Sequence, residues 1–437
     1  TDGFPERKGR PQDVAAARLP SGHVGVRMAV YRRRRREDKI LTKPVLYIEA
    51  QPLRLKLKTV IRHAAAARNE GESIWVRAGR NGRVGYGEGC PRIYVAGDEI
   101  ETSIAWINSQ FASERKCFHT LAELRRWVKS HEETIDRYPS AWCAVEMAVL
   151  DLLAREAGVT VEALLGVKAG GRHGRYTAVL GDDKQGKYAS LVDKYLMLGL
   201  VDFKVKLSGE LARDAKKLDI IERLSEKHRS GPVRIRLDAN NLWKERGDEA
   251  IAHMLALGCG RIFAVEEPVG ARQTADISRF STATGLPVIL DESLCNAGDL
   301  ELFRGLPGRF IANIKLSRLG GIVRALGMLA EIKKIGWPVI IGCHVGETSL
   351  LTRAALVVAA AAGKSLAAQE GAFGNYLLEG EPVRPILKFG YGGLLDLQIP
   401  YCFQTVRGVE VVAPDNWSVG FGMQGSMPPL PDAGMIL

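Results

Sequence analysis

Three short runs decide the fold: Val233-Arg-Ile-Arg-Leu-Asp238, Ile262-Phe-Ala-Val-Glu266 and Pro287-Val-Ile-Leu-Asp291. Each is an apolar, β-forming segment that closes on a carboxylate. The three acids stand 28 and 25 residues apart, the length of one strand and its following helix. Working outward, similar runs occur at Tyr176–Leu180, Asp202–Leu207, Ile311–Leu316, Pro338–Cys343 and Leu366–Gln369, which brings the series to eight. Eight β-runs alternating with helical stretches predict an α/β protein built on a (β/α)8 TIM-type barrel. A doubly wound sheet would place a glycine-rich phosphate turn after its first strand. Gly181-Asp182-Asp183-Lys184 is no such turn.

Upstream of the barrel, Val45–Pro52 and Ser73–Ala78 read as strands, with the hairpin signal Asn81-Gly82 after them. Gly85-Tyr86-Gly87-Glu88-Gly89 reads as a further turn-forming stretch. Amphipathic helices are expected over 97–112, 119–131 and 139–157, the last carrying Glu146 and Asp151. The resulting domain plan is a basic N-terminal extension (1–44), an α+β capping domain (45–165), the barrel (166–395) and a C-terminal segment (396–437) expected to pack back on the capping domain.

Composition agrees with a globular chain: of 437 residues, 46% are hydrophobic and 25% charged, which excludes disorder, collagen and a small disulfide scaffold. The longest apolar stretch, around Leu356 to Ala362, falls well short of the roughly 20 residues that span a bilayer, so no membrane segment is expected. The net charge of +11 suggests a polyanion, but its location argues otherwise. Residues 1–44, with the run Arg32–Arg36, hold 12 Lys/Arg against 5 Asp/Glu, whereas the remainder holds 49 against 45. Polyanion or nucleic-acid binding through Arg32–Arg36 is therefore the different-class alternative, and nucleic acid is not the expected partner. The extension lacks the apolar core of a secretory signal, and its Arg and Ala content only hints at a transit peptide. Seven widely spaced cysteines without a CxxC pattern point to free thiols in a reducing, cytoplasmic setting. Cys343 beside His344 is not read as a nucleophile and base, because strand neighbours face opposite ways; Cys343 is expected to be small and buried.

Asp238, Glu266 and Asp291 end consecutive strands, so they converge on the barrel mouth where active sites of this fold lie. Three adjacent carboxylates repel and call for a cation. An all-oxygen set suits a hard divalent ion, Mg²⁺ first and Mn²⁺ next. Lys204 and Lys206 share one face of strand two by the period-two rule, and Lys315 ends strand six. Lys206 and Lys315 should thus approach a metal-bound ligand from opposite sides. Neighbouring ammonium groups and a divalent ion are expected to lower a lysine pKa towards that of a useful base. The chemistry that follows is removal of the proton α to a substrate carboxylate, through an enediolate.

These residues resemble the enolase superfamily, in particular its muconate-lactonizing-enzyme subgroup. The matching motifs are Lys204-Val-Lys206, Asp238-Ala-Asn240, Glu266-Glu267-Pro268, Asp291-Glu292-Ser293, Lys315-Leu-Ser-Arg-Leu-Gly320-Gly321 and Gly342-Cys-His-Val-Gly-Glu347-Thr348. The resemblance runs from about residue 46 to 400 and includes Gly85-Tyr86-Gly87-Glu88 of the capping domain. It implies Asp238, Glu266 and Asp291 as Mg²⁺ ligands and Lys206 and Lys315 as an opposed acid/base pair. Lys204, Asn240, Glu292 and Glu347 would support them. Leu53–Asn69, with Arg62 and His63, and Pro91–Gly97, with Arg92 and Tyr94, resemble the capping loops that close over substrate. The closest likeness is to dipeptide epimerases and N-acylamino-acid racemases. Dipeptide epimerases of this kind place Asp-x-Asp on strand eight to hold an α-ammonium; here Ala368-Gln369-Glu370 stands instead, leaving Glu370 as the one candidate anchor. The expected function is therefore racemisation or epimerisation of an amino-acid or dipeptide derivative by a homo-oligomeric enzyme acting on a small carboxylate. An o-succinylbenzoate-synthase-like dehydration and a muconate-type cycloisomerisation are the alternatives within the superfamily. His344 is read as structural, since Lys315 stands where a sugar-acid dehydratase would need aspartate.

Overall fold

The computed structural model describes residues 45–63, 66–93, 97–111, 118–168, 175–396, 405–406, 409–410 and 419–425. The basic extension with Arg32–Arg36, and also Tyr94, Cys117 and Cys402, lie outside the described residues. No described helix is long and apolar enough to cross a membrane.

The chain begins with an antiparallel sheet of three strands, β1 (Tyr47–His63), β2 (Ala66–Arg80) and β3 (Arg83–Gly89). Its first two strands run much further than the expected Val45–Pro52 and Ser73–Ala78, through most of the stretch read as a capping loop. The cause is legible in Leu53-Arg-Leu-Lys-Leu-Lys58, where apolar and basic residues alternate: Leu53 and Leu57 are buried while Arg54, Lys56 and Lys58 are exposed. Asn81 and Gly82 make the tight β2–β3 turn, both with positive φ (52° and 74°), as a two-residue hairpin of this hand requires.

The glycines 85, 87 and 89 form no turn. They lie within β3 and face the helix Pro139–Ala157. A Cβ built on Gly87 would lie 1.9 Å from the Ala144 carbonyl oxygen, and one on Gly89 would lie 1.9 Å from that of Ser140. Glycine at every second position thus lets the helix backbone lie directly on the strand. That helix is not amphipathic, as every residue from Pro139 to Ala154 is buried, and it ends on Gly158 in the left-handed conformation. The other described helices of this region are Ile100–Phe111, Leu121–Ser130, Glu132–Arg137 and Val161–Leu165. Thr120 and Glu123 close a reciprocal capping box at the start of the second.

The barrel strands are β4 (Ala178–Leu180), β5 (Asp202–Lys206), β6 (Arg234–Asp238), β7 (Ala264–Glu266), β8 (Val288–Leu290), β9 (Phe310–Ile314), β10 (Val339–Ile341) and β11 (Leu366–Gln369). They pair in parallel and in sequence order. The ring closes where Tyr176 bridges Gln369 and the Thr177 amide donates to the Gln369 carbonyl at 2.9 Å. Inside the barrel, Ala264, Ile289, Ile311, Ile340 and Ala368 form a small apolar layer separate from the main core. The segment 419–425 lies on the first region: the Phe421 amide donates to Asp151 (2.7 Å), and Arg155 donates to the Met423 carbonyl (2.5 Å).

Candidate active site

The register of the barrel sets the site. Lys206 pairs with Asp238 and Asp238 with Glu266, so strands two, three and four end at one height. Asp291 and Lys315 stand one residue past the ends of β8 and β9. All five side chains emerge at the C-terminal mouth, the catalytic end of this architecture.

There they form two ion-paired clusters. On one side the Lys206 ammonium donates to Asp238 Oδ2 and Asn240 Oδ1, both at 2.6 Å, and the Asn240 amide donates to Asp238 Oδ1 at 3.1 Å. On the other side the Lys315 ammonium donates to Asp291 Oδ2 at 2.7 Å, while Arg318 grips the second Asp291 oxygen. Between them the Lys204 ammonium reaches Glu266 (2.7 Å), Asp238 (3.1 Å) and Glu370 (3.2 Å). Glu267, next to Glu266 and with a φ of 40°, turns away to hold strand five: it accepts from the Asp291 amide (2.6 Å), the Ser293 amide (2.8 Å) and the Ser293 hydroxyl (2.8 Å). It thereby fixes the position of Asp291.

Burial and the neighbouring charges set the electrostatics of these clusters. Burial alone would lower Lys315, but the Asp291 carboxylate more than offsets this and holds its pKa above the usual lysine value. Lys204 is likewise raised, by Asp238, Glu266 and Glu370 against the cost of burial. Asp291 is held well below the carboxylate range because Lys315 and Arg318 outweigh its burial, whereas burial and the neighbouring Asp238 push Glu266 well above it.

Among the described residues, no three Asp, Glu, His or Cys side chains converge closely enough to cage a metal in this arrangement. Each strand-end acid is turned on an ammonium or guanidinium instead. The donor chemistry nonetheless suits a hard divalent cation. The acids offer only carboxylate oxygens, and Glu266 Oε2 and Glu292 Oε2 are buried without a hydrogen-bond partner.

Glu347 is half-buried and accepts from the His344 amide at 2.6 Å; desolvation first, and then Glu88, push it up to about 8. Glu370 is no free anchor, because its oxygens sit 3.2 Å from Lys204 and 3.2 Å from Arg236. Arg62 and His63 belong to β1, but their side chains, like all of Tyr94, lie outside the described residues. Arg92 is buried and donates to the carbonyls of Glu72, Pro91 and Val345 at 3.1, 2.6 and 2.6 Å. Cys343 is only half-buried, because it follows the end of β10.

Sequence reasoning passed over Arg236, Asp202, Asn313 and Arg318. Arg236 and Asp202 were within reach, since period two from Asp238 and Lys206 places them on the barrel interior. The Arg236 guanidinium is fully buried between Asp202, Thr177 and Glu370. Arg318 stood inside a quoted motif without a role, because only the fold turns it back on Asp291.

A ring of lysines and carboxylates at a barrel mouth defines an enzyme of the acid/base class. Residues 187–393 match the family described as Enolase C-terminal domain-like, which takes in the barrel from its first helix onward. A hydrophobic dipeptide epimerase from Enterococcus faecalis is 27% identical over 362 residues, covering 78% of this chain and 96% of that one. An N-succinyl-L-Arg/Lys racemase from Bacillus cereus is 26% identical over 297 residues, covering 64% of this chain and 73% of its own. In three dimensions, a dipeptide epimerase from Cytophaga hutchinsonii complexed with Mg and D-Ala-L-Val superposes with a TM-score of 0.72, covering 89% of this chain and 98% of that one, at 22% identity. At that identity the likeness establishes the fold.

Proposed function

We propose that the protein is a racemase or epimerase that removes and returns the proton α to the carboxylate of an amino-acid derivative, with Lys206 and Lys315 serving opposite faces. The carrying observation is their placement: Lys206 is seated on Asp238 of strand three and Lys315 on Asp291 of strand five, with strand four between. A dehydratase or cycloisomerase has less need of a lysine on each face, and the relatives that share most of the chain are epimerases and racemases.

Asp238, Glu266 and Asp291 are the residues that would hold Mg²⁺, with Glu292 behind them. When bound, the ion would supply a Lewis acid for the substrate carboxylate and share the negative charge of Asp238, Glu266 and Asp291. The remaining work belongs to the chain. Asn240 and Asp238 together hold the Lys206 ammonium, each at 2.6 Å, fixing the direction of its N–H bonds. Arg318 and Glu267 hold Asp291, and through it Lys315. Lys204 neutralises Asp238, Glu266 and Glu370, which it contacts together. One lysine, uncharged, takes the proton at Nζ, and its counterpart, charged, returns one to the other face.

The test is deuterium exchange at the α-carbon in D₂O with Mg²⁺, using both enantiomers of each substrate. Lys206→Ala should lose exchange from one enantiomer and Lys315→Ala from the other, with racemisation abolished in both. Exchange from both enantiomers surviving in either variant would overturn the two-lysine assignment.

A further inference from the structure

The backbone holds the two lysines of the proposed reaction in different ways. The Lys315 carbonyl accepts from the Leu319 amide at 3.0 Å, a bond of the short helix Leu316–Leu319 that starts beside it. After Lys206 the next helix begins only at Leu211, too far along to supply such a bond. The register of β5 with β4 also stops at the pair Val205–Leu180, one residue short of Lys206. The Lys206 carbonyl is met by a side chain instead: the Lys217 ammonium donates to it at 2.8 Å.

A lysine three residues after an aspartate on a helix has the spacing of a solvated surface pair. Lys217, on the helix Leu211–His228, is only 4% exposed. Its ammonium stands 2.6 Å from Asp182, in the loop after β4, and 3.0 Å from Asp214 on its own helix. Asp214 in turn gathers the loop that follows Lys206. It accepts from the Ser208 amide (2.9 Å), the Ser208 hydroxyl (2.8 Å) and the Gly209 amide (3.1 Å). Burial would raise the Asp214 carboxyl, but His253, Ser208 and Lys217 hold it down at about 2, so it stays charged. Moving the ammonium would strand that buried charge, which keeps Lys217 in place.

The peptide between Lys206 and Leu207 is therefore gripped at both ends. Lys217 holds its C=O, and the Asp238 carbonyl holds its N–H at 2.9 Å. A tilt of this peptide plane would swing the Lys206 side chain and carry Nζ away from Asp238 and Asn240. A displacement of about 1 Å at a reacting group costs on the order of a hundredfold in rate.

We infer that Lys217 is a positioning residue for Lys206, so that one of the two opposed lysines is aimed by a side chain and the other by its own helix. This rests on the α-proton abstraction proposed above and adds an asymmetry to it. Loss of Lys217 blunts one face of the reaction and spares the other.

The protein with Mg²⁺ in D₂O is given both enantiomers of N-acetylleucine and the two leucyl-leucine isomers that differ at the α-carbon beside the carboxylate. For the stereoisomer whose exchange Lys206→Ala abolishes, Lys217→Met should lower kcat about tenfold to a hundredfold and leave KM unchanged. The opposite stereoisomer, served by Lys315, should exchange at the wild-type rate. Lys217→Arg, which keeps the charge and the donors, should recover most of the loss. Equal falls for both stereoisomers would mark a merely structural lysine and overturn the inference, as would unchanged rates for both. If Lys217→Met does not fold, Lys217→Gln, neutral and too short for the carbonyl, carries the same expectations. If the wild type exchanges none of these compounds, proton abstraction itself fails, and positioning is read from amide hydrogen exchange instead. The Leu207 amide should then lose about tenfold in protection in Lys217→Met while the Leu319 amide keeps its own; equal protection of Leu207 in the two proteins would refute the inference.

Discussion

The carboxylate of Glu146 caps a helix that begins 176 residues later. Its Oε1 accepts from the Val323 amide at 2.9 Å, and its Oε2 accepts from the Trp142 indole at 3.2 Å. Gly321, at a φ of 99°, approaches it so closely that a Cβ would lie 2.4 Å from Oε1. The long helix beneath the sheet and the helix Ile322–Ile335 are thus joined through one buried acid at a helix N-terminus.

That acid makes stability depend on pH. Burial, only partly offset by the Val323, Ile322 and Trp142 hydrogen bonds, pushes Glu146 up to about 7 from an ordinary 4.5. The folded chain therefore keeps a proton that the unfolded chain releases. The resulting stability is fully present below the ordinary carboxylate value and is lost as pH rises through about 7. The group's contribution should fall by about 3 kcal/mol across that window. Glu146→Gln should flatten this part of the urea-unfolding profile relative to the wild type, while costing some stability at pH 5 through the mismatched indole contact. Parallel profiles for the two proteins would refute the assignment.

Gly87→Ala tests the seating of the helix on β3. The added methyl would meet Ala144 O at 1.9 Å and Ala148 N at 2.7 Å, both backbone atoms that no side-chain rotation can clear. A loss of about 3 kcal/mol or more is expected, seen as a lower denaturant midpoint. Gly82, with open space around it, already needs a positive φ and so makes a poor control. Gly186, which has nothing within 4 Å and no positive φ, is the suitable one, and Gly186→Ala should change stability little.

Lys204→Met probes the charge balance under the site. The variant leaves Glu266, Asp238 and Glu370 without their shared cation, a loss of about 3–5 kcal/mol when divalent ions are chelated. Added Mg²⁺ should then raise the melting temperature of the variant more than that of the wild type, because the ion relieves a larger repulsion. Equal shifts, or none, would argue against a cation among these acids.

Much of the molecule was legible in the sequence because its signals were periodic. Eight β-runs at regular spacing, and acids at the ends of three of them, required only the length of a strand–helix unit to be placed at one mouth. Two features hid for opposite reasons. The glycines 85, 87 and 89 carry the composition of a turn, and only the helix packed against them shows that their spacing of two is a strand pattern. Leu53–Lys58 had the alternation of a strand and was outweighed by its likeness to a loop. The partners of the lysines and acids could not be read from the sequence, because Arg318 and Glu370 reach that region from the residues that follow strands six and eight.

Beneath the mouth the barrel is filled by alternating signs: Asp202, Arg236, Glu370, Lys204 and Glu266 each touch the next. Such a column behaves like a sentence with agreement rules. A single change of sign at any member leaves a neighbour stranded in a dry interior, whereas paired reversals preserve the balance. Evolutionary or engineered changes of substrate charge at this mouth should therefore arrive as couples along the column, with one residue redirected towards the ligand only after its old partner has been neutralised.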